Sequence, residues 1–321
     1  MQFEWPVIGH QNLTNHLQQS ILTNKLSQAY IFYGPDKVGK KTVARHFLYS
    51  VLCQDQSVRP CQSCLHCRQL EKNIHPDVFK IGPEPDKKKI SIDQIRRLQT
   101  SLGLGSLLNS YKIALIDQSD RLTTEAGNSL LKTLEEPSPK TIIILITANL
   151  EALPKTIASR CQLYQLRPVS SQKIHDYLLA SGARRRQAEE ITSLARGRAG
   201  LAVSYFQNQD EFKVVQKTVK KLTQIFRSEF FKRFDLIEGV ADQPNQLIFQ
   251  LRDLIRDLIL IKAGADDYLT YSFIKKDLIN LASDISLNRL LKINKKINQA
   301  RPYLNLNVNA RLLLENLIIS I

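Results

Sequence analysis

The sequence predicts an α/β domain built on a parallel sheet, followed by regions that are helical throughout. Three observations support this prediction. Short apolar runs alternate with helical patterns over residues 1–169, as strands alternate with helices around a parallel sheet. The apolar runs are continuous, which is typical of strands that helices cover on both faces. Beyond residue 170 only helical periodicity remains.

The elements of the first region follow from the length and spacing of its apolar runs. Runs of strand length predict strands at Ala29–Tyr33, Val78–Ile81, Lys112–Asp117 and Thr141–Thr147. Helices are predicted from about Lys40 to Cys53, near Ser91–Leu102 and over Thr124–Glu136. The last of these helices ends at Pro137, because proline lacks the N–H group that would continue it.

Helices account for the rest of the chain. They are predicted at Ser171–Ala180, at Gln187–Ala195 and after the Gly197–Gly200 break. Two later helices are marked by apolar stripes, formed by Leu251, Leu254, Ile255, Leu258 and Ile259 and by Leu312, Leu313, Leu314, Leu317 and Ile318. These changes of pattern predict three domains, at 1–169, 170–208 and 209–321.

The composition leaves a DNA-binding protein open and argues against a membrane or secreted protein. The 321 residues carry a net charge of +15, spread evenly along the chain, which fits either a face that contacts DNA or a generally basic surface. No apolar run approaches the ~20 residues of a membrane helix. The N-terminus lacks the basic and apolar segments of a signal peptide, so we expect a cytoplasmic protein with no membrane contact.

A phosphate-binding loop is predicted directly after the first strand. Gly34 and Gly39 allow backbone N–H groups to point inward, and Lys40 is placed to reach β- and γ-phosphates. The next position should carry the hydroxyl that binds Mg²⁺, but it is Lys41. Thr42 follows one residue late, and a helix turns it about 100° away. The alternative is a strand-to-helix turn that binds no ATP or ADP.

The strand Lys112–Asp117 has the form of a Walker B strand, in which the terminal Asp117 holds Mg²⁺. An ATPase of this kind next needs a glutamate to activate water, and Gln118 cannot accept that proton. Asp120 is a poor substitute, because side chains alternate in direction at a strand end. Hydrolysis is therefore not expected. The alternative is a buried strand capped by a polar residue.

Four of the five cysteines have the spacing of a structural zinc site. Cys53, Cys61, Cys64 and Cys67 supply the four thiolates that a tetrahedral Zn²⁺ requires. His66 and His75 are alternative ligands, and an iron–sulfur cluster is the alternative centre. A third possibility for this segment is direct contact with DNA, although its basic and acidic residues are mixed.

Ser159-Arg160-Cys161 contains the remaining cysteine, which its apolar neighbours predict to be a buried thiol rather than a nucleophile. Arg160 has two interpretations. It is either a partner in a structural ion pair or an arginine finger that reaches the γ-phosphate held by a neighbouring subunit.

Several further segments occur in the order and spacing of one family. They are Val7-Ile8-Gly9-His10-Gln11, His75-Pro76-Asp77 after the cysteines, Asn128–Pro137, Thr147-Ala148-Asn149, Ser159-Arg160-Cys161, and Asn307-Val308-Asn309 with Leu312 and Glu315. Together they resemble the clamp-loader branch of the AAA+ proteins, whose members serve bacterial DNA polymerase III. The resemblance covers nearly the whole chain.

The resemblance implies a RecA-like AAA+ core at 1–169 with a zinc insert at about 53–67, a helical lid at 170–208 and an all-α collar at 209–321. It places Asn149 in the sensor 1 region of the nucleotide site. Gly200 stands where the family's ATPases carry the sensor 2 arginine. With Lys41 and Gln118, this departure points to a member that hydrolyses no ATP.

The function implied is that of a clamp-loader subunit in DNA replication, with Arg160 as a finger acting in trans. The implied partners are the tau/gamma and delta subunits in a hetero-pentameric ring, a sliding clamp, and primer–template DNA held by the assembly. The alternative is an active clamp-loader ATPase of the tau/gamma type, which Lys40 and Asp117 keep open.

Overall fold

A computed structural model describes residues 2–85, 87–108, 110–229, 231–233, 244–300 and 310–319. The chain divides into two compact units. The first comprises Met1–Lys173 with Gly197–Gly200, and the second comprises Ile174–Arg196 with Leu201–Ile321. The finer division into domains at 1–169, 170–208 and 209–321 stays a prediction.

The first unit is built on a parallel sheet, which confirms the predicted α/β class. Its five strands are β2 (Ala29–Tyr33), β4 (Val78–Ile81), β5 (Lys112–Ile116), β6 (Thr141–Thr147) and β7 (Gln162–Gln165). They lie in the order β4-β5-β6-β2-β7. The four strands predicted from apolar runs are all present. β6 is buried along its whole length, because both of its faces are covered.

Helices cover the sheet on both faces. They are α1 (Gln11–Leu22), α2 (Lys40–Leu52), α3 (Leu65–Glu71), α4 (Ile92–Gly103), α5 (Thr124–Glu135) and α6 (Lys155–Ala158). Alternate residues of β2 enter two separate cores. Tyr30 and Phe32 pack on the side of α1 and α2, whereas Ile31 packs on the side of α4 and α5. The unit is therefore a three-layer sandwich with its sheet in the middle.

A two-stranded parallel pair ties the N-terminus to the segment between the first two cysteines of the insert. β1 (Gln2–Phe3) pairs with β3 (Val58–Arg59). Trp5 follows this pair, and its indole N–H donates to the hydroxyl of Ser50 at 2.9 Å. The N-terminal residues are thus held by both the insert and the core of the unit.

The second unit is helical, as predicted. Its helices are α8 (Arg185–Ala195), α10 (Gln209–Arg227), α11 (Pro244–Lys262), α12 (Lys275–Asp284), α13 (Leu287–Ala300) and α14 (Ala310–Ile319), and α7 (Ser171–Ala180) and α9 (Ala199–Gln207) belong to it for most of their lengths. α11 packs against α10, α12, α13 and α14. The predicted stripe on α11 is its buried face, with Leu251, Leu254, Ile255 and Leu258 fully buried.

A buried carboxylate stabilises the chain that follows α11. Asp257 is fully buried and accepts hydrogen bonds from the N–H groups of Thr270 and Tyr271, at 3.0 and 2.8 Å.

The helix α14 confirms the last apolar helix predicted from sequence. The motif residues Asn307, Val308 and Asn309 lie outside the described residues.

None of the helices in the described ranges combines the length and the apolar character needed to cross a membrane.

Candidate functional site

The predicted phosphate loop runs from the end of β2 to the start of α2. Gly34 and Gly39 have φ values of 139° and 113°, a backbone region that side chains other than hydrogen rarely allow. A Cβ atom on Gly34 would also overlap the carbonyl oxygen of Leu166. The loop therefore depends on glycine where it passes the end of β7.

Lys40 is the first residue of α2, and its side chain is folded into the loop. Its ammonium donates to the carbonyl oxygens of Gly34 and Pro35, the latter at 2.8 Å. Burial lowers the pKa of this ammonium, and the carboxylates of Asp36, Asp120 and Asp117 oppose that effect. The loop thus encloses a cation that two carbonyl groups bond and that also pairs with the carboxylate of Asp36 at 3.8 Å.

An open cavity of about 520 Å³ lies beside the loop, within the first unit. Of the residues predicted for the nucleotide site, Gly39, Lys40, Thr42 and Asp117 line it, and Thr42 does so although we expected it to turn away from the metal position. Within the described chain, Gly34 and Asn149 fall outside the lining. The other lining residues are Asp36, Lys37, Lys41, Gln118, Asp120, Arg121, Ile146, Thr147, Ala148 and Gly200.

Lys41 and Asp117 form an ion pair across the floor of the cavity. The ammonium nitrogen of Lys41 lies 2.6 Å from Oδ2 of Asp117. In phosphate-loop ATPases, the residue after the loop lysine and the Walker B aspartate hold Mg²⁺ between them. Here Lys41 occupies the first of these positions, and its ammonium pairs with the carboxylate of Asp117 at the second.

The polar residues after β5 and β6 are engaged with one another. Asp120 accepts hydrogen bonds from the hydroxyl of Thr147 at 2.8 Å and from the N–H of Ala148 at 3.3 Å. The amide oxygen of Asn149 accepts the N–H of Glu151 at 3.0 Å, which caps a short 3₁₀ helix. Gln118 lines the cavity in a left-handed backbone conformation. An amide at this position cannot accept a proton from an attacking water.

Gly200 lines one side of the cavity, where its backbone lies close to the backbone of the phosphate loop. A Cβ atom at this position would lie 2.8 Å from the carbonyl oxygen of Lys37. A real Cβ needs more room than this, so a side chain is excluded unless the loop moves. Position 200, which the resemblance aligns with sensor 2, is therefore constrained to be glycine.

Gly200→Ala is expected to destabilise the protein by about 1–2 kcal/mol, because the added methyl group would push on the phosphate loop. In the interior of an ordinary helix, a change from glycine to alanine stabilises the protein by about 1 kcal/mol. A loss of stability on Gly200→Ala would therefore indicate the close approach to the phosphate loop. Urea unfolding at equilibrium measures it. Gly103→Ala is the control, since a Cβ at Gly103 meets nothing within 4 Å. Equal stabilisation by both changes would contradict the close approach.

The four predicted cysteines come together at the edge of the first unit. The sulfur atoms of Cys53, Cys61, Cys64 and Cys67 all lie within 4.8 Å of one another. A tetrahedral zinc with Zn–S bonds of about 2.3 Å requires sulfur–sulfur distances of about 3.8 Å. The four thiols are therefore suited to hold one metal ion with small adjustments.

Hydrogen bonds to sulfur favour the thiolate form of Cys61, whereas burial raises the pKa of the Cys53 and Cys67 thiols. The N–H of Cys61 donates to Sγ of Cys53 at 3.4 Å, and the N–H of Cys64 donates to Sγ of Cys61 at 3.3 Å. Burial raises the pKa of the Cys61 thiol, but the bonds from Cys64 and Ser63 outweigh it and lower that pKa to about 6. The thiolate is the form that binds a metal ion.

The two histidines considered as alternative ligands bond to each other instead. Nδ1 of His66 lies 2.7 Å from Nε2 of His75, and both rings are buried. The other nitrogen of His75 accepts the N–H of Asp77 at 3.2 Å. Four sulfur ligands without histidine are thus the donor set that the geometry brings together.

Arg160 lies between α6 and β7, and it is partly exposed. Its guanidinium forms an ion pair with Glu135 at 2.8 Å and donates to the carbonyl oxygen of Thr156 at 3.0 Å. The ion pair foreseen as one interpretation of Arg160 is therefore present. Since 38% of the arginine side chain stays exposed, the same group is also accessible from outside the subunit.

The sheet topology separates Arg160 from the cavity of its own subunit. β7 runs parallel to β2 with Gln162 opposite Tyr30, so Arg160 lies at the amino ends of the strands. The phosphate loop begins after Tyr33, at the carboxyl ends. The five residues of β2 span the sheet between the two levels, or roughly 17 Å. Arg160 is too far from its own cavity to act there.

Two residues of the site were missed by sequence reasoning. In the sequence Glu135 belongs only to the motif that ends at Pro137, and its pairing with Arg160 spans 25 positions of the chain. Lys41 replaces the hydroxyl that binds Mg²⁺, but the sequence does not indicate its pairing with Asp117. Neither pairing has a local sequence signal, because each depends on how separate elements are placed by the fold.

Comparison with known proteins identifies two matching families. The family described as DNA polymerase III, delta subunit, matches residues 9–170. The family described as DNA polymerase III, delta subunit, C terminal, matches residues 233–321.

Individual relatives agree with these families. The chain is 30% identical over 314 residues to DNA polymerase III subunit delta' of Bacillus subtilis (strain 168), covering 94% of this chain and 93% of that protein. It is 35% identical over 169 residues to the subunit tau of the same organism, covering 52% of this chain and 30% of tau. A crystal structure of a DNA polymerase III, gamma subunit-related protein from Thermotoga maritima superposes with a TM-score of 0.46 at 15% identity, over 94% of this chain and 97% of that one.

Proposed function

The chain belongs to the family of DNA polymerase III delta' subunits of the AAA+ clamp loaders, and we propose that it hydrolyses no ATP itself but supplies Arg160 to a neighbouring ATPase subunit. In this role Arg160 stabilises the charge that develops on the γ-phosphate of ATP during hydrolysis. The assembly uses that hydrolysis while it loads a sliding clamp during DNA replication.

The observation that carries the proposal is the location of Arg160 at the opposite edge of the sheet from the phosphate loop. An arginine at the amino ends of the strands is out of reach of its own cavity but is exposed at the subunit surface. A neighbour that presents its nucleotide at this surface would meet the guanidinium. The pairing with Glu135 is then exchanged for the phosphate, which offers a stronger and more highly charged partner.

Three features support the absence of hydrolysis at the subunit's own cavity. Gln118 supplies an amide where a carboxylate base is needed. Lys41 neutralises Asp117, the carboxylate that would hold Mg²⁺. The close approach of Gly200 to Lys37 leaves no room for a sensor 2 arginine.

The cysteine cluster has a structural role in this proposal, with Zn²⁺ as its metal. Four sulfur ligands fill a tetrahedral shell, so no position is left open for a substrate. The metal, when bound, supplies cross-linking and no reaction chemistry. Its effect is to order the segment from Cys53 to Cys67 and the β3 strand within it.

The proposed partners are the tau/gamma and delta subunits of a hetero-pentameric ring, together with a sliding clamp and primer–template DNA. The relatives named tau and delta' support a place in such an assembly. The net charge of +15 is compatible with shared contact to DNA across the ring.

The proposal is tested by measuring ATP hydrolysis with primed DNA and clamp for tau/gamma and delta, with and without this chain. We expect little hydrolysis by the isolated chain and a large stimulation of the assembly when the chain is added. The assembly lacking this chain but containing all other components is the control.

Turnover by the isolated chain that is abolished by Lys40→Ala would overturn the proposal and favour the alternative, an active ATPase of the tau/gamma type. A complete assembly whose ATPase rate does not change when the chain is omitted would also contradict it.

A further inference from the structure

We propose that a basic groove in the second unit binds single-stranded DNA, with phosphates along α10 and one base against the ring of Phe273. Arg184, Arg186, Lys220 and Phe273 line this groove, which has a volume of about 370 Å³. It shares no residue with the phosphate loop, with Arg160 or with the cysteine cluster. Its action requires neither ATP nor a neighbouring subunit.

Three elements of the second unit build the groove. α8 packs against the 3₁₀ turn Ser272–Ile274, and α10 packs against α12, which follows that turn directly. The amide of Gln216 on α10 donates to the carboxylate of Glu190 on α8 at 3.2 Å. The ring of Phe273 lies edge-on to the buried Tyr271, with 6.0 Å between the ring centroids. These contacts shape the groove in the free chain.

The lining carries positive charge that the chain does not neutralise. Its acidic residue is Glu190, and Arg186 pairs with this carboxylate at 3.0 Å. The two other cations of the lining are Arg184 and Lys220, and neither forms an ion pair with another described residue. Two positive charges are therefore available to an anion in the groove.

α10 continues this positive charge beyond the groove. Lys213, Lys217 and Lys220 recur at positions i, i+4 and i+7, so they lie along one exposed face over about 10 Å. Among the described residues, Lys213 alone of these three has a carboxylate partner, the exposed Asp210 at 3.4 Å. Residues 212–227 contain five basic residues and no acidic one. Such a row of cations suits a continuous phosphate backbone better than a single anion.

The half-buried Phe273 favours a nucleic acid over an acidic peptide as the ligand. Proteins that bind single strands combine a basic groove with aromatic rings, because every base has a flat face that stacks on such a ring. An acidic peptide would neutralise the cations but leave the ring without a stacking partner. A duplex keeps its bases stacked inside, so a single strand is needed. The choice of DNA as the strand rests on the proposed function in replication.

The experiment measures binding of a fluorescent oligo(dT) of about 12 nucleotides to the full chain by fluorescence anisotropy, over a range of NaCl concentrations. The unpaired cations Arg184, Lys217 and Lys220 should give a slope of log affinity against log salt of about −2 or steeper. The double variant Lys217→Ala and Lys220→Ala should bind about tenfold or more weakly at low salt, with a slope shallower by about 1.4.

The matched control for this variant is the double variant Lys292→Ala and Lys295→Ala. It removes two exposed lysines at the same spacing from α13, outside the lining of the groove. It should bind oligo(dT) as the wild type does.

Stacking is tested separately from charge. An abasic strand of the same length carries the same charge without bases, and the wild type should bind it about tenfold more weakly than oligo(dT). Phe273→Leu should weaken binding of oligo(dT) by a similar factor and leave binding of the abasic strand unchanged. Tyr268→Leu is the control, since Tyr268 is an exposed aromatic residue outside the lining, and it should change neither.

Three results would overturn the proposal. They are no binding of oligo(dT) at low salt, equal binding of oligo(dT) and the abasic strand, and equal losses in the α10 and α13 double variants. The comparison of the two strands uses the wild type, so it is decisive even if a variant fails to fold, and melting temperatures check the folding of each variant. Because the chain is tested alone and without ATP, failure here leaves the test of Arg160 in the assembly unaffected.

Discussion

Replacing Arg160 with alanine is expected to lower ATP hydrolysis at the neighbouring subunit's site by about 10³-fold, the lower end of what arginine fingers contribute. The reason is that the guanidinium would no longer balance the charge on the γ-phosphate in the transition state. The measurement is the rate of DNA-stimulated ATP hydrolysis by an assembly in which only the ATP site next to Arg160 is active. In the other ATPase subunits the phosphate-loop lysine is substituted, so that they hydrolyse no ATP. Binding of ATP to that site should change much less than its rate of hydrolysis.

Two further variants separate a finger from a structural ion pair. Arg160→Lys keeps the charge but loses the planar fork, so it should recover only a small part of the rate. Arg185→Ala is the matched control, because Arg185 is an exposed arginine paired with Glu189 at 3.2 Å. It should leave hydrolysis unchanged. If Arg160→Ala and Arg185→Ala have equal, small effects, the finger role is wrong.

Cys67→Ser is expected to abolish metal binding and to lower the free energy of unfolding of the first unit by about 3 kcal/mol or more. A serine hydroxyl is a poor ligand for a soft metal site, and the three remaining thiolates would lose their common cross-link. The melting temperature should fall by roughly 10 °C. Metal content is measured by mass spectrometry of the purified protein, and stability is measured by calorimetry.

The fifth cysteine supplies the control for this experiment. Cys161 packs against the core beside the sheet, and burial raises the pKa of its thiol to about 12. Cys161→Ser should therefore keep one metal ion per chain and cost only about 1 kcal/mol. A wild-type protein with no bound metal, or a Cys67→Ser variant with full metal content, would contradict the assignment of the cluster.

The architecture of the first unit could be read largely from its apolar runs. Ile142, Ile143 and Ile144 are consecutive and all buried, which only a strand with two covered faces allows. The strand β7 was missed because Gln162 and Gln165 are exposed at its ends, and a short edge strand carries little apolar signal. The helix α1 was missed for a related reason, since its sequence from Gln11 to Leu22 is mostly polar.

The candidate site was predictable where its chemistry follows from adjacent residues. The spacing of the cysteines indicated a cluster because few segments bring four thiols so close in sequence. The pairings Lys41–Asp117 and Arg160–Glu135 could not be predicted, since they join elements separated by 76 and 25 positions. Such contacts depend on strand order and on side-chain rotamers, which local patterns do not specify.

The pairing of β1 with β3 links the metal cluster to an optical property of the chain. Trp5 is the single tryptophan of the sequence, and it follows a strand whose only sheet partner, among the described residues, lies between Cys53 and Cys61. Its indole packs against the core and is fixed by Ser50. Release of the insert would leave the strand before this indole without its partner and change the polarity around the ring. The intrinsic fluorescence of the protein is therefore a built-in reporter of whether the cysteine insert is ordered.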